Sequence, residues 1–323
     1  MIPWLVLFQT TLAVGVGGPP TSPEYLPLRV AEARGYFAGE KLQVSFRESR
    51  AAEGAAEDLG QGRVDLAATT LDAALRLGHT EGKPPRLIFG LTQTPPVAVL
   101  VPMIHRDAVQ TPTQLVDRLI GIPSPGTPEH GWFRSVLTRS KIAAHRVSIK
   151  SYGDLGVARA LEAGEVAAGV LGDPWATRLM ESGRASALVD FRKRDAAARW
   201  LGTATVHAAL FARPDGRFAP EALAKLFRAL LRAMADLTTA GADELAAGLP
   251  PEVVGLREDF ALRVRGAREI FLADGWVSEE RLESSVELSR DRSPIPAAVR
   301  LPRRLKTLLD TDPLKDVLAA RGR

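Results

Sequence analysis

The chain has 323 residues, of which 46% are hydrophobic and 25% are charged, as is typical of a globular protein with about two domains. It contains no cysteine, which excludes disulfides, thiolate metal sites, a cysteine nucleophile and a lipid-anchored cysteine. The net charge of +4 is that of residues 297–323 alone, which hold seven basic and three acidic residues. We therefore expect a neutral main body with a basic C-terminal tail, and no nucleic-acid partner.

The N-terminal part of the chain alternates predicted strands and helices. Apolar or alternating runs indicate the strands, and helical periodicity indicates the helices. The predicted strands are 12–18, 42–46 and 64–68, and the predicted helices are 26–33 and 51–59. Strands that alternate with helices in this way predict an α/β fold with right-handed crossovers and a parallel sheet. Ligands of such sheets bind beyond the carboxyl ends of the strands, where Gly17-Gly18 and Thr69-Thr70 stand.

The middle of the chain repeats this order, and the last third is predicted to be helical. Thr111-Pro112-Thr113-Gln114 has the pattern of a helix start, with a capping threonine, a proline at N1 and a glutamine at N3. After Pro220 an apolar stripe with helical spacing predicts a long helix that packs on the first sheet. The other predicted elements are strands 97–101, 119–122, 146–150, 166–171 and 203–211, and helices 129–140, 156–163, 251–259, 262–273 and 279–288.

Three predicted strand ends place a helix-capping residue before a proline. These are Ser22-Pro23, Thr127-Pro128 and Asp173-Pro174, and Thr70 takes the same position without a proline. Helix N-termini present unpaired N–H groups and the positive end of the helix dipole, which suit a carboxylate, sulfonate or phosphate. Loops of this kind also cap helices where nothing binds, so only their convergence is informative. Asp173 would repel an anion, so it is expected to accept a hydrogen bond from a ligand or only to cap its helix.

Aromatic residues near these ends predict the walls of a pocket, whereas no pattern predicts catalysis. Tyr25, Trp132 and Trp175 are placed to stack on a planar ligand, although Trp132 fits a core position equally well. The five histidines show no metal-ligand spacing, so we predict no metal and no cofactor. His130 is expected to bond a ligand or to be exposed. No arginine stands in a predicted pocket loop, which argues against sulfonates and dicarboxylates.

Several short motifs stand together in this chain: Val14-Gly15-Val16, Ala33–Phe37, Leu42-Gln43-Val44, Gly62–Ala67, Ile120–Pro123 before Gly126-Thr127, Leu161–Val166 and Asp173–Ala176. Together they resemble the solute-binding proteins of ABC importers, in the group for nitrate, sulfonates, taurine and thiamine-pyrimidine precursors. The resemblance covers residues 12–211 and departs at Asp117-Arg118-Leu119, where the family usually has Gly-Lys. The apolar segment Met1–Phe8 is too short to supply the export signal expected of the family, so either an upstream signal is missing from this sequence or the protein is cytoplasmic.

The resemblance implies a two-lobed, periplasmic-binding-protein-like (type II) α/β fold with a helical C-terminal part. Lobe 1 would comprise residues 10–97 and 209–296, lobe 2 residues 98–208 and the tail residues 297–323. Two crossing strands, Val97–Pro102 and Thr203–Phe211, would form the hinge. The ligand contacts implied by family position are Ser22, Tyr25, Thr69, Thr70, Gln93, Ser124, Thr127, His130, Asp173, Trp175 and Thr203.

The implied function is capture of a small molecule by hinge closure and its delivery to a membrane permease. The protein would be a periplasmic or extracytoplasmic monomer that does not itself span the membrane. The ligand stays open between a small organic anion and a small heteroaromatic compound. An enzyme on the same fold, acting on a pyrimidine or a menaquinone precursor, is the alternative. The chain lacks the cysteine-rich motif of the pyrimidine-forming enzymes, and its length fits the menaquinone type less well. A ligand-sensing module is a third possibility, with no signalling segment to support it.

Overall fold

The computed structural model describes residues 10–202, 204–292 and 295–321. Within them, ten strands form two five-stranded sheets that are covered by helices, which gives the expected two-lobed α/β fold. The first sheet contains β1 Thr10–Gly17, β2 Leu42–Ser49, β3 Leu66–Thr70, β4 Arg86–Thr92 and β10 Ala208–Ala212. The second sheet contains β5 Val97–Pro102, β6 Leu119–Ile122, β7 Ser148–Ser151, β8 Ala168–Gly172 and β9 Ala185–Asp190.

The helices fall into three groups along the chain. The first group contains α1 Leu26–Ala33, α2 Tyr36–Gly39, α3 Ala52–Gly60 and α4 Leu71–Leu77. The second contains α5 Pro128–Arg139, α6 Asp154–Glu162, α7 Trp175–Glu181 and α8 Arg194–Leu201. The third contains α9 Pro220–Thr239, α10 Ala242–Ala246, α11 Pro251–Val254, α12 Arg257–Ala267, α13 Glu279–Arg292 and α14 Asp312–Arg321. We call the first sheet with α1–α4, α9–α12 and α14 the first lobe, and the second sheet with α5–α8 the second lobe.

Both sheets are mixed, so the prediction of a parallel sheet is wrong for one strand in each. The first sheet has the order β2-β1-β3-β10-β4, and β10 is antiparallel to both of its neighbours. The second has the order β7-β6-β8-β5-β9, and β5 is antiparallel to both of its neighbours. The other strand pairs are parallel: β1 with β2 and β3, and β6 with β7 and β8. β5 is the first strand after the chain crosses into the second lobe, and β10 is the first strand after it returns to the first lobe. No strand–helix crossover therefore sets the direction of either strand.

The two crossings between the lobes run side by side. The backbone N–H of His207 donates to the carbonyl of Thr92 at 2.8 Å, and the Thr205 hydroxyl donates to the carbonyl of Gln93 at 2.8 Å. The backbone N–H of Val206 donates instead to the Ser285 hydroxyl at 2.8 Å. The strand predicted from residue 203 starts only at Ala208. The lobe boundaries placed at 97/98 and 208/209 stay predictions.

The apolar stripe of α9 forms the centre of the first lobe, as predicted. Leu223, Phe227, Leu230 and Met234 are buried, and the ring of Phe227 stacks on that of Phe89 in β4 with centroids 5.6 Å apart. The basic C-terminal tail ends in α14, whose Leu314 and Val317 lie in the same core. Within the part of the chain described, no helix combines the length and the apolar character needed to cross a bilayer.

Two helices of the C-terminal part lie against the second lobe as well as the first. In α13, Leu282 and Val286 pack in a first-lobe cluster, whereas Leu288 packs in the core of the second lobe. The predicted helices 251–259 and 262–273 are α11 and α12, which are separated at Gly255 with a φ of 58°. A left-handed residue ends a helix, so α12 begins at Arg257 and is free to turn toward the second lobe.

Candidate functional site

A cleft of about 520 Å³ lies between the two lobes at the carboxyl ends of strands. The first lobe contributes the loop after β1, the N-terminus of α3, Thr70 after β3 and part of α12. The second lobe contributes the N-termini of α5 and α6 and the segment Gly172–Trp175 after β8. The crossings contribute Pro95, Pro96 and His207. Residues far apart in sequence therefore meet here, as expected for a two-lobed α/β fold.

Five of the predicted contacts line this cleft: Ser22, Tyr25, Thr70, Asp173 and Trp175. Tyr25 is almost fully buried, and burial raises the pKa of its phenol well above the ordinary value, with further raising by Glu24 and Glu53. The hydroxyl of Thr70 accepts from the backbone N–H of Ala73 at 3.3 Å, which caps α4 as the sequence predicts. The indole of Trp175 lies beneath the Arg178 guanidinium, 5.0 Å from the ring centroid.

Two other predicted contacts, Thr69 and Gln93, lie outside the cleft lining because their side chains bond the protein itself. The Thr69 hydroxyl donates to the carbonyl of Ala52 at 2.7 Å and fixes the start of α3. The Gln93 amide donates to the carbonyl of Glu269 at 2.8 Å and joins the crossing to the end of α12. Both residues thus support the site from behind, and direct ligand contact by either stays a prediction.

Ser124, Thr127 and His130 also lie outside the lining, although their neighbours Pro128 and Glu129 are part of it. The Thr127 hydroxyl donates to the carbonyl of Ser124 at 3.0 Å and accepts from the backbone N–H of His130 at 3.5 Å. Burial lowers the pKa of His130, and the charge of Arg134 lowers it further. This turn positions the start of α5 at the cleft. Thr203, the last predicted contact, lies outside the described residues.

Asp173 is held by the second lobe rather than free in the cleft. Its Oδ1 accepts from the backbone N–H of Thr177 at 2.9 Å and from Arg192 Nη1 at 2.6 Å. Arg192 also donates to Asp190, and all three side chains are buried. Although burial lowers the pKa of Arg192, the two carboxylates raise it above its ordinary value overall. The other oxygen, Oδ2, is buried without a hydrogen-bond partner in the described structure.

Sequence reasoning missed an arginine that lines the cleft. Arg263 in α12 is buried, and its guanidinium donates to the carbonyls of Thr21 at 2.7 Å and Val254 at 2.6 Å. Burial lowers its pKa, partly offset by Asp259 and Asp173. Arg263 therefore fastens the loop before Tyr25 to the C-terminal helices. It stands within a helix remote in sequence from the strand ends, so no local pattern marked it.

Further charged residues of the cleft were also missed. Glu24 comes from the first lobe, and Glu129 comes from the second. Burial raises the pKa of Glu129 although the Thr127 hydroxyl lowers it, and the charges of Asp154 and Glu24 raise it further. The Oε1 atom of Glu24 lies 3.8 Å from Nε2 of His207. The edge of the Trp132 indole meets the His207 ring with centroids 5.6 Å apart, so this predicted pocket aromatic packs behind the lining.

The lobes contact each other beside the cleft through α7 and α12. Arg178 in α7 forms an ion pair with Asp259 in α12, and Arg265 Nη2 lies 2.8 Å from Glu181 Oε2. Gly266 faces the buried Oδ2 of Asp173 so closely that a Cβ at this position would lie 1.8 Å from it. A residue larger than glycine at position 266 would therefore keep α12 from approaching the second lobe.

The two sheets, the crossings between them and the interlobe cleft define a protein of the periplasmic-binding-protein fold. The chain matches the family model described as NMT1/THI5 like over residues 22–240, and it belongs to that family. This finding and the structural neighbours confirm the resemblance and the fold class inferred from the sequence. Among curated protein sequences, none matches the chain.

Solved structures with the same fold cover nearly the whole chain. A protein of Bordetella bronchiseptica is 23% identical, with a TM-score of 0.74 over 97% of this chain and 98% of that chain. The alkanesulfonate-binding protein SsuA of Xanthomonas axonopodis, bound to MOPS, is 18% identical, with a TM-score of 0.60 over 93% and 98%. The periplasmic nitrate-binding protein NrtA of Synechocystis is 13% identical, with a TM-score of 0.63 over 97% and 89%. At these identities the similarity establishes the fold.

Proposed function

We propose that the chain is the solute-binding component of an ABC importer, which captures a small organic molecule between its lobes by hinge closure. The observation that carries the proposal is a cleft lined from both lobes, by Ser22, Tyr25 and Thr70 on one side and by Asp173 and Trp175 on the other. A ligand that touches both walls makes more contacts in the closed form, and only such differential contacts shift an open–closed equilibrium.

The comparisons support a binding protein rather than an enzyme. The structural neighbours named for a ligand are sulfonate-binding and nitrate-binding proteins, and three of them are described as periplasmic. By analogy we propose a periplasmic or extracytoplasmic location, a monomeric state and a membrane permease as the partner that recognises the closed form. The ligand inferred from the sequence is a small organic anion or a small heteroaromatic compound.

A thermal-shift screen combined with a measurement of closure tests this proposal. The chain would be screened against sulfonates, carboxylates, nitrate, amines and nitrogen heteroaromatics, because a ligand at a hundred times its dissociation constant adds about 2.7 kcal/mol of stability. Each hit would then be measured by small-angle X-ray scattering, where closure lowers the radius of gyration. A compound that stabilises the chain, compacts it and is recovered unchanged supports a binding protein. A hit that the chain consumes supports the enzyme alternative.

A further inference from the structure

The lining of the cleft is predominantly acidic, which bears on the charge of the ligand. Its basic side chains are Arg50, Arg263 and His207, so carboxylates outnumber arginines by six to two. A small anion would approach this lining against a negative potential, whereas a cation would be attracted to it. The acidic lining residues are Glu24, Glu53, Glu129, Asp154, Asp173 and Asp259.

Part of this charge is neutralised within the protein, and part is not. Asp173 is paired with Arg192, and Asp259 is paired with Arg178. Arg263 donates to backbone carbonyls and, among the described residues, forms no ion pair with the remaining carboxylates of the cleft. Glu24 comes near a base, His207. The 3.8 Å between Glu24 Oε1 and His207 Nε2 is too long for a hydrogen bond. The Glu24 and Glu129 carboxylates therefore keep acceptor positions for a ligand.

Glu24 and Glu129 face the same space from opposite lobes. Glu24 follows β1, and Glu129 lies in the first turn of α5. They lie close enough for the charge of Glu24 to raise the pKa of Glu129, which burial has already raised. Closing the cleft brings these like charges into a region of low dielectric, which opposes closure when the cleft is empty.

Asp173 is a third carboxylate of the lining, but its second oxygen, Oδ2, faces Gly266 of α12 rather than Glu24 or Glu129. Asp173 lines the cleft with a side chain that is 1% exposed, and its Oδ2 has no partner in the described structure. A buried acceptor without a partner costs free energy that a donor would recover. The described residues contain no group of three or more His, Cys, Asp or Glu side chains arranged to hold a metal ion.

We propose that the ligand is a small organic cation with at least two N–H donors, such as an amidinium, a guanidinium or a protonated amino-heteroaromatic, shared between the carboxylates of Glu24 and Glu129. This inference rests on the proposed function and narrows its ligand class. The cation removes the repulsion between the lobes and replaces it with charge-assisted hydrogen bonds to both. Its binding free energy thus depends on closure, which couples recognition to the closed form.

A series of four monosubstituted benzenes of similar size tests the charge preference on the full chain. Benzamidinium is a cation with N–H donors, benzamide is its neutral counterpart, and benzoate and benzenesulfonate are anions. Calorimetry is expected to show benzamidinium bound at least about ten-fold more tightly than benzamide, as for a hydrogen bond to a charged group. Tighter binding of either anion, or no binding of benzamidinium, guanidinium or 4-aminopyridinium at millimolar concentration, would overturn the cation proposal. If an anion instead closes the lobes in scattering, the proposed function survives and only its ligand class fails.

Two substitutions test the named carboxylates. Glu24→Gln and Glu129→Gln should each weaken benzamidinium binding by about ten-fold or more while leaving benzamide binding unchanged. Glu57→Gln, on the exposed face of α3 away from the cleft, is the matched control and should bind both probes like the wild type. Thermal unfolding of each variant separates loss of recognition from loss of the fold. Equal losses of affinity for the cation and the neutral probe would show that the carboxylates maintain the shape of the cleft rather than recognise charge, which contradicts the proposal.

Discussion

Asp173 and Arg192 form a buried ion pair, with 2.6 Å between Oδ1 and Nη1 and 1% exposure of each side chain. Asp190 accepts hydrogen bonds from Nε and Nη2 of the same guanidinium. Arg192 follows β9 and Asp173 follows β8, so the pair ties together two strand ends beside the cleft. Buried pairs of this kind cost desolvation when they form, but breaking one leaves an uncompensated charge in the protein.

Asp173→Ala should therefore lower the free energy of unfolding by about 3 kcal/mol or more. The measurement is urea denaturation of the ligand-free chain. Glu244→Ala is the control, because its pair with Arg34 is exposed and should contribute less than about 1 kcal/mol. Equal stability of the two variants would show that Asp190 alone satisfies Arg192.

Trp175→Ala should weaken ligand binding by at least about 1 kcal/mol, because a large aromatic side chain in the cleft wall is a typical anchor. Calorimetry with the tightest-binding solute of the charge series measures this effect. Trp200→Ala removes a partly buried indole from the core of the second lobe at a distance from the lining. Both variants should lose stability, and only Trp175→Ala should lose affinity. Unchanged affinity would remove Trp175 from the site.

The strand–helix alternation predicted the fold class and several residues of the cleft wall, because both depend on short-range patterns. Thr70 ends β3, Asp173 directly follows β8 and Ser22 stands in the loop after β1. Each precedes a helical segment, so local sequence places them at the sheet edge. The directions of β5 and β10 depend on how the chain crosses between lobes. That crossing is a tertiary feature with no local pattern, and the parallel prediction failed there.

The acidic character of the cleft was hidden for a different reason. Glu24, Glu129 and Asp154 each stand in the first turn of a helix, where acidic residues are common because they compensate the helix dipole. Their pattern is the same whether they face solvent or a ligand. Arg263 and Asp259 come from α12, which the topology brings to the cleft only after the chain has returned to the first lobe.

Glu129→Gln should stabilise the ligand-free protein at neutral pH. Burial raises the pKa of Glu129 above its ordinary value of 4.5, and the Asp154 and Glu24 charges add to the shift. A carboxyl with a raised folded-state pKa contributes stability below its unfolded pKa and loses that contribution as the pH rises through the folded value. The neutral glutamine avoids this loss.

Thermal unfolding across acidic to neutral pH measures the effect. The midpoint of Glu129→Gln should exceed that of the wild type at neutral pH, and the difference should vanish as the pH falls below about 4.5, the ordinary pKa. Glu57→Gln, whose carboxylate is exposed, should follow the wild type throughout. A variant that is more stable and yet binds benzamidinium more weakly would show that this carboxylate is kept for recognition at the expense of stability. A midpoint below the wild type at neutral pH contradicts the argument.

The contact between α7 and α12 should favour the closed arrangement of the lobes by a small amount. Arg265 and Glu181 lie 2.8 Å apart across this contact, with side chains 50% and 52% exposed. Exposed pairs contribute up to about 1 kcal/mol, so Glu181→Gln should shift the ligand-free chain toward the open form and weaken binding by less than about five-fold.

Because the chain has no cysteine, two introduced thiols report the distance between the lobes without background. Glu57→Cys in α3 and Thr138→Cys in α5 place spin labels on exposed positions of the first and second lobes. The mean label distance should be longer in Glu181→Gln than in the parent and should shorten in both when ligand is added. Glu162→Gln, exposed in α6, should leave the distance unchanged. The same distance distribution in Glu181→Gln and the parent would mean that this ion pair does not hold the lobes together, and that closure depends on the other contacts between them, such as Arg178–Asp259 and the apolar contacts of α13, and on the ligand.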